Sequence, residues 1–413
     1  MNERKKHILF ISYDGMTDPL GQSQVIPYLE GLTRQGYRFT ILSCDKPEKY
    51  TAHRTDVERM LQNLPIAWVS LPYHKNPPVL SSVYDYYMLR KKAIALHASD
   101  PFDMVHTRPG VPQLIALHLK KKLGIRYLND IRGFWADERV DGGMWDLKNP
   151  LYKAVYTFFR KKEDECVRVA DYNTCLTFRG KEEILKWKTV PQPVKVDVVP
   201  CSVDLDLFDP AHLDKEYLGR FKKETGITDQ DFIISYLGSI GGWYLTTEML
   251  LFCSLLWQRK PETKFLFISN NRHEEITEAA KRFNIPEDRI MVKFAGRKQV
   301  PALLSLSSYS LFFIKPCYSK LSSSPTKHGE IMAMGIPVIA NSGVGDVKEI
   351  VERYKGGFVL DGFTEVEMQA VIDRILDPAT TFDRAGIRNG AFDFYSLDKT
   401  VGTYTSVYKK ILG

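Results

Sequence analysis

Lys327 and Glu330 stand three residues apart in the stretch Ser322-Ser323-Ser324-Pro325-Thr326-Lys327-His328-Gly329-Glu330, which runs on to Gly335-Ile336-Pro337-Val338-Ile339-Ala340. On a helix this spacing puts a cation and a hydrogen-bond-accepting carboxylate on one face. Ser324 reads as an N-cap, Pro325 as the first helical position and Gly335 as the left-handed stop. The amides of the first turn, including those of Thr326 and Lys327, then form an anion site, with the Lys327 charge beside it. A phosphate joined to a sugar hydroxyl is the ligand chemistry that suits such a pair. A capped surface helix carrying an ordinary Lys–Glu pair remains open as the plainer reading.

Other groups of side chains could act with it. Gly238-Ser239-Ile240-Gly241-Gly242 is a glycine-rich turn after an apolar run, where backbone amides can approach phosphates. Arg297, in Ala295-Gly296-Arg297, is a candidate cation for the same ligand. Asp14, Gly15, Gly21, Gln22 and Ser23 lie in a polar turn between a strand and a helix. There glycine permits close backbone approach and the polar side chains offer donors. Asp130, Arg132 and Glu138 follow the end of another strand and could orient a hydroxyl or stabilise developing charge, or simply pin a loop. His106 and Arg108 are weaker candidates of the same kind. The segment 152–162 is a basic helix with an aromatic side, fit either for core packing or for rest on anionic lipid.

These residues need a scaffold of strand ends. Ile8–Ser12, a glycine loop, a helix from about Gln22 to Gln35 and the strand Arg38–Leu42 make a β-α-β unit. Apolar runs at 66–71, 104–106 and 126–130 continue the series. A second series begins at Phe232–Gly238 and continues through 265–269, 290–294, 311–314 and 336–340. The polar segment around 209–230 separates the two. The expected architecture is α/β, with two Rossmann-like doubly wound domains facing a cleft. The domains are expected at 1–208 and 209–393, with a helix at 394–413 crossing back to the first.

The order of elements from about 7 to 412, together with the 322–340 stretch, resembles the retaining glycosyltransferases of family four (glycosyl transferases group one), which have the GT-B fold. Their signature is two glutamates separated by seven residues, followed by an alanine-glycine-x-proline-valine run. Glu330 matches the second glutamate, and Ser322 stands where the first, a donor-sugar contact, would be. The segment Val203-Asp204 to Phe208 resembles the family's "GVD…F" element, and Phe394-Tyr395-Ser396 its closing one. The resemblance implies that Glu330 holds the ribose of a nucleotide diphosphate sugar and that Lys327 and Thr326 hold its diphosphate. It also implies that Asp130 lies near the reacting centre and the Asp14–Ser23 loop near donor phosphate and acceptor. The arginine and lysine that the family places just beyond the glycine turn are missing, which passes the cationic role to Lys327 or Arg297. No metal or cofactor is implied. The partners expected are a nucleotide-sugar donor and a glycan or lipid-linked acceptor, in cell-surface polysaccharide synthesis.

Size and composition agree with this class. A chain of 413 residues can bury two cores, and a net charge of +7 favours phosphate-bearing ligands or an anionic membrane face without choosing between them. Six scattered cysteines contain no C-x-x-C pair, which argues against a zinc site or a disulfide framework. No apolar run reaches the roughly 18 residues of a membrane span, and no nucleic-acid module is present. A cytoplasmic protein, with at most peripheral contact at the inner face of a membrane, is expected. Two other functions stay open: a sugar-nucleotide epimerase or hydrolase on the same fold, and a nucleotide-binding subunit without turnover.

Overall fold

The computed structural model describes residues 4–190, 192–269 and 271–413. The chain forms two compact units, one of Met1–Pro200 with Leu397–Gly413 and the other of Cys201–Ser396.

The first unit is built on seven parallel strands: β1 Lys6–Ser12, β2 Tyr37–Asp45, β3 Ile66–Pro72, β4 Met104–Thr107, β5 Arg126–Ile131, β6 Tyr172–Cys175 and β7 Val196–Val198. Their order is β3-β2-β1-β4-β5-β6-β7. The second holds β8 Ile233–Leu237, β9 Lys264–Ile268, β10 Ile290–Lys293, β11 Tyr309–Phe312, β12 Val338–Asn341 and β13 Gly357–Leu360, in the order β10-β9-β8-β11-β12-β13. Both sheets are parallel and covered by helices, so strands such as Ile8-Leu9-Phe10-Ile11 are apolar throughout rather than alternating. Each sheet reverses its winding once, between β1 and β4 and between β8 and β11. Doubly wound sheets place ligands outside the carboxyl ends of the strands at such points.

The expected strands form, and β6, β7 and β13 add to them. The first expected helix is broken in two, Pro19–Gln24 and Ile26–Arg34, at Val25. Pro27 explains the break, because its ring removes an amide and crowds the carbonyl four residues earlier.

The border between the units falls at Pro200/Cys201, eight residues before the expected place. Val203 and Phe208 are buried in the core of the second unit and carry their segment with them. The closing border falls at Ser396/Leu397 rather than 393/394. The final helix, Leu397–Leu412, buries Val401, Tyr404, Tyr408 and Ile411 in the core of the first unit. Their spacing of three, four and three residues makes one stripe along the helix. No helix among the described residues is long and apolar enough to cross a membrane.

Candidate functional site

The second unit gathers the donor candidates at its switch point. β8 ends at Leu237, and Gly238 follows with φ +131, a value that side chains rarely adopt. A Cβ at Gly238 would collide with Lys327 Nζ, so the glycine turn and the lysine are in direct contact. Lys327 lies in the helix Thr326–Ala333, which follows the short 3-10 turn Tyr318–Ser322. The amides of Thr326 and Lys327 open that helix, where no preceding turn supplies acceptors. Pro325 is the cap and Ser324 is not. The Ser324 hydroxyl instead accepts from the Cys201 amide at 3.3 Å, so the helix begins one residue later than expected. Gly335 ends it at φ +66, as the sequence requires.

Lys327 is buried, and its ammonium donates to the Tyr236 hydroxyl at 3.2 Å. It sits 3.7 Å from the Tyr244 ring centroid and 4.4 Å from that of Tyr236. These rings offer cation–π stabilisation but no countercharge. Burial lowers the lysine to about 7, against a smaller upward pull from Glu330. Among the described residues no carboxylate lies within ion-pair reach of it. Sequence reading missed Tyr236, which gives no signal beyond an aromatic residue inside a strand.

Glu330 is buried one turn further along and accepts from Arg297 Nη1 at 2.9 Å. Burial raises its carboxyl, and the Arg297 and Lys327 charges act against that rise. The Arg297 side chain is 45% exposed, and its guanidinium lies 5.4 Å from the Phe208 ring centroid. Arg297, Glu330, Lys327 and Gly238 therefore form one cluster. Ser239 is exposed at the same turn, and its carbonyl accepts from the Tyr236 hydroxyl. A shallow cavity of about 140 Å³ opens beside Gly238 and Ser239, walled by Ser269 and Ala295. Ser322, at the end of the 3-10 turn, is fully buried, and its hydroxyl has no hydrogen-bond partner.

The first unit treats its candidates differently. Asp130, expected near the reacting centre, is completely buried. Its carboxylate accepts from Thr174 at 2.8 Å and from Tyr404 of the final helix at 2.9 Å. Burial alone would raise its carboxyl. Arg132, His106 and Arg108 outweigh burial and hold it at about 2. His106 is equally buried, accepts from or donates to the Tyr408 hydroxyl at 2.8 Å, and has its Nε2 3.5 Å from Asp130. The Arg132 side chain is only 6% exposed, and its Nη1 donates to the Val199 carbonyl. These three groups form an internal polar knot that fastens the last helix to β4 and β5. Glu138 is not among them: it lies on the helix Trp135–Asp141 against Gly133.

The Asp14–Ser23 loop also closes on itself. A Cβ on Gly15 would strike the Asp45 carboxylate, and one on Gly21 would strike the Gly15 carbonyl and Met16. The close approach that these glycines allow is thus of the loop to its own neighbours. Ser23 donates to the Pro19 carbonyl at 2.8 Å and Gln22 to the Thr17 carbonyl at 3.5 Å, while the Asp14 side chain is exposed.

Comparison with known proteins adds to this geometry. Residues 219–387 match the family model described as glycosyl transferases group 1. The chain resembles glycosyl transferases group 1, and its fold is GT-B. The matched segment contains Gly238, Arg297, Lys327 and Glu330. Sucrose-phosphate synthase from Thermosynechococcus elongatus superposes with a TM-score of 0.72 at 14% identity, over 98% of each chain. Anabaena HepE in complex with UDP-glucose gives 0.67 at 13% identity, over 98% of this chain and 99% of that one. WaaG, a glycosyltransferase involved in lipopolysaccharide biosynthesis, gives 0.67 at 14% identity, over 98% of this chain and 100% of its own. No curated protein matches the sequence.

Proposed function

We propose that the protein is a retaining, metal-independent glycosyltransferase that moves a sugar from a nucleotide diphosphate sugar to a glycan or lipid-linked acceptor. The observation that carries this reading is the buried Lys327 ammonium, which makes no ion pair among the described residues and sits against Gly238 at the start of a helix, one turn from Glu330. A diphosphate supplies the ion pair that the fold withholds. Lys327, the Thr326 amide and the helix dipole would carry its developing charge as the leaving group departs. Glu330, held by Arg297, would accept from the ribose hydroxyls. Gly238 would let the diphosphate approach the backbone. In a retaining reaction the leaving phosphate assists deprotonation of the acceptor hydroxyl on the face from which it departs. This assigns no proton transfer to Asp130, whose carboxylate is occupied internally.

The family match over the segment holding the cluster supports glycosyl transfer, and HepE crystallised with UDP-glucose makes a UDP-sugar the first donor to test. Work in cell-surface polysaccharide assembly, at the inner face of a membrane, completes the proposal.

Thermal unfolding with UDP-, GDP- and ADP-sugars, each with and without EDTA, tests it. One nucleotide should stabilise the protein by a few kcal/mol when well above its dissociation constant, equally in both conditions. Loss of the shift in EDTA would overturn metal independence. No shift with any donor would overturn the donor site.

A further inference from the structure

The first unit carries a groove of about 910 Å³ that the donor chemistry does not use. Its walls come from the helices Leu80–Ser99, Val111–Leu123 and Pro150–Val169, with Trp135 and Trp145 at one side. That volume is at the upper end for a ligand pocket, and its lining is mainly apolar. The rim is apolar as well: Tyr87, Met144 and Phe158 are about half exposed although they line it. Leu80 and Leu151, next in sequence to the lining residues Val79 and Tyr152, are 66% and 54% exposed. Scattered exposed apolar residues need no explanation, but a contiguous set around a deep groove marks a binding surface.

The charges select the ligand. The Arg139 guanidinium lies inside the groove, 3.5 Å from the Trp135 ring centroid, and donates to the Trp135 carbonyl at 3.3 Å. Among the described residues it has no carboxylate within ion-pair distance, and burial pulls it down to about 10 against smaller upward pulls from Glu138, Asp14 and Glu163. Lys122, also lining the groove, likewise has no acidic partner among the described residues. Lys121 and Lys162 share one carboxylate, that of Glu165. His118 is lowered by burial and by the charges of Arg90 and Lys122, which marks a positive field along this wall. The groove lining thus carries Lys121, Lys122, Arg139 and Lys162 against Glu165, around an aromatic slot.

We propose that this groove holds an amphiphile with a phosphate head and a long hydrocarbon chain: the chain lies along Tyr87, Trp145 and Phe158, and the phosphate meets Arg139 and Lys122. Its assignment as the lipid part of the acceptor rests on the transferase reading, whereas the binding itself does not.

Decyl phosphate, kept below its micelle concentration, is a suitable probe, read by tryptophan emission from Trp135 and Trp145 and by thermal shift. Saturable binding is expected, at least tenfold tighter than that of decanol or inorganic phosphate. Phe158→Asp and Arg139→Gln should each weaken it at least tenfold while the far-ultraviolet dichroism is kept. Should Arg139→Gln fail to fold, the exposed position Tyr87→Glu serves in its place. Equal affinity for inorganic phosphate would overturn the proposal in favour of a plain anion site. Binding to phosphatidylglycerol vesicles without binding of monomeric decyl phosphate would overturn it in favour of contact with a membrane surface. Nucleotide-sugar shifts on the same samples separate the two readings. Their absence would sink the donor site and leave the decyl phosphate result standing.

Discussion

The two units each bury an acid, a basic side chain and tyrosines, and they use them in opposite ways. Around Asp130 the fold answers the acid's charge. Thr174 and Tyr404 fill the carboxylate, and Arg132 and Arg108 supply positive charge nearby. Around Lys327 the fold surrounds a cation with rings and one hydroxyl and gives it only the partial, non-bonded pull of Glu330. Buried groups satisfied from within hold a structure together. A buried charge left unanswered costs stability unless something else comes to it. Both Asp130 and Lys327 are buried charged residues, and their partners tell them apart.

Breaking the satisfied knot should have the larger effect. Asp130→Ala removes the countercharge of a buried cluster and should cost about 3–5 kcal/mol in urea unfolding of the first unit. Nucleotide affinity should stay within twofold of the parent. A stable Asp130→Asn variant that binds donor but has lost turnover would restore Asp130 to the reaction and end the contrast.

Lys327→Met should act in the opposite sense. It removes a buried charge that makes no ion pair among the described residues, so the unliganded protein should melt no lower than the parent. Loss of the charge-assisted contact should weaken nucleotide-sugar binding by about 1.5–3 kcal/mol, measured by calorimetry. Glu330→Ala should also weaken binding, by about 1–3 kcal/mol, and unchanged affinity would remove Glu330 from the site.

Proton linkage sharpens the contrast further. Asp130 is depressed to about 2 in the folded chain. Its stabilisation is present above its unfolded value near 4 and is lost as pH falls from there to about 2. Lys327 is depressed to about 7. Between that value and its unfolded value of about 10.4, the unfolded chain holds the extra proton. Stability should therefore rise with pH across that window, by up to about 1.4 kcal/mol per unit from this group. Nucleotide affinity should fall over the same range, because binding must first charge the lysine. Proton uptake on binding at pH 8, seen in buffers of differing ionisation enthalpy, checks this.

Tyr404→Phe should be the mildest change. It removes one hydrogen bond to Asp130 and should cost about 1–2 kcal/mol without altering nucleotide affinity.

What the sequence made legible follows the same line. Fully apolar strands such as Ile8–Ile11 and Phe265–Ile268 declare themselves, because a parallel strand buried on both faces has little room for polar residues. β6 does not, since its Asn173 and Thr174 are satisfied by Asn129 and Asp130, 44 residues earlier in each case. β13 opens on Gly357, whose φ is +142, and so does not look like a strand at its start. The Lys327–Glu330 pair was readable because a helix turn joins it. Its arginine lies 33 residues away, and the knot joins Asp130 to Tyr404 across 274. Helix periodicity reports on neighbours one or two turns apart and carries nothing over such distances.

The return of the last helix to the first unit also sets an order of assembly. Cys201–Ser396 is continuous in sequence, and its two ends are joined where Val203 bridges Ser396 and its amide donates to the Tyr395 carbonyl at 2.9 Å. That unit can fold as the chain emerges from the ribosome, domain by domain. The first unit cannot finish. β4 and β5 are made early, yet His106 and Asp130 wait for tyrosines at 404 and 408. A buried acid whose Tyr404 bond waits until that helix is made leaves the first-made half the last to become native.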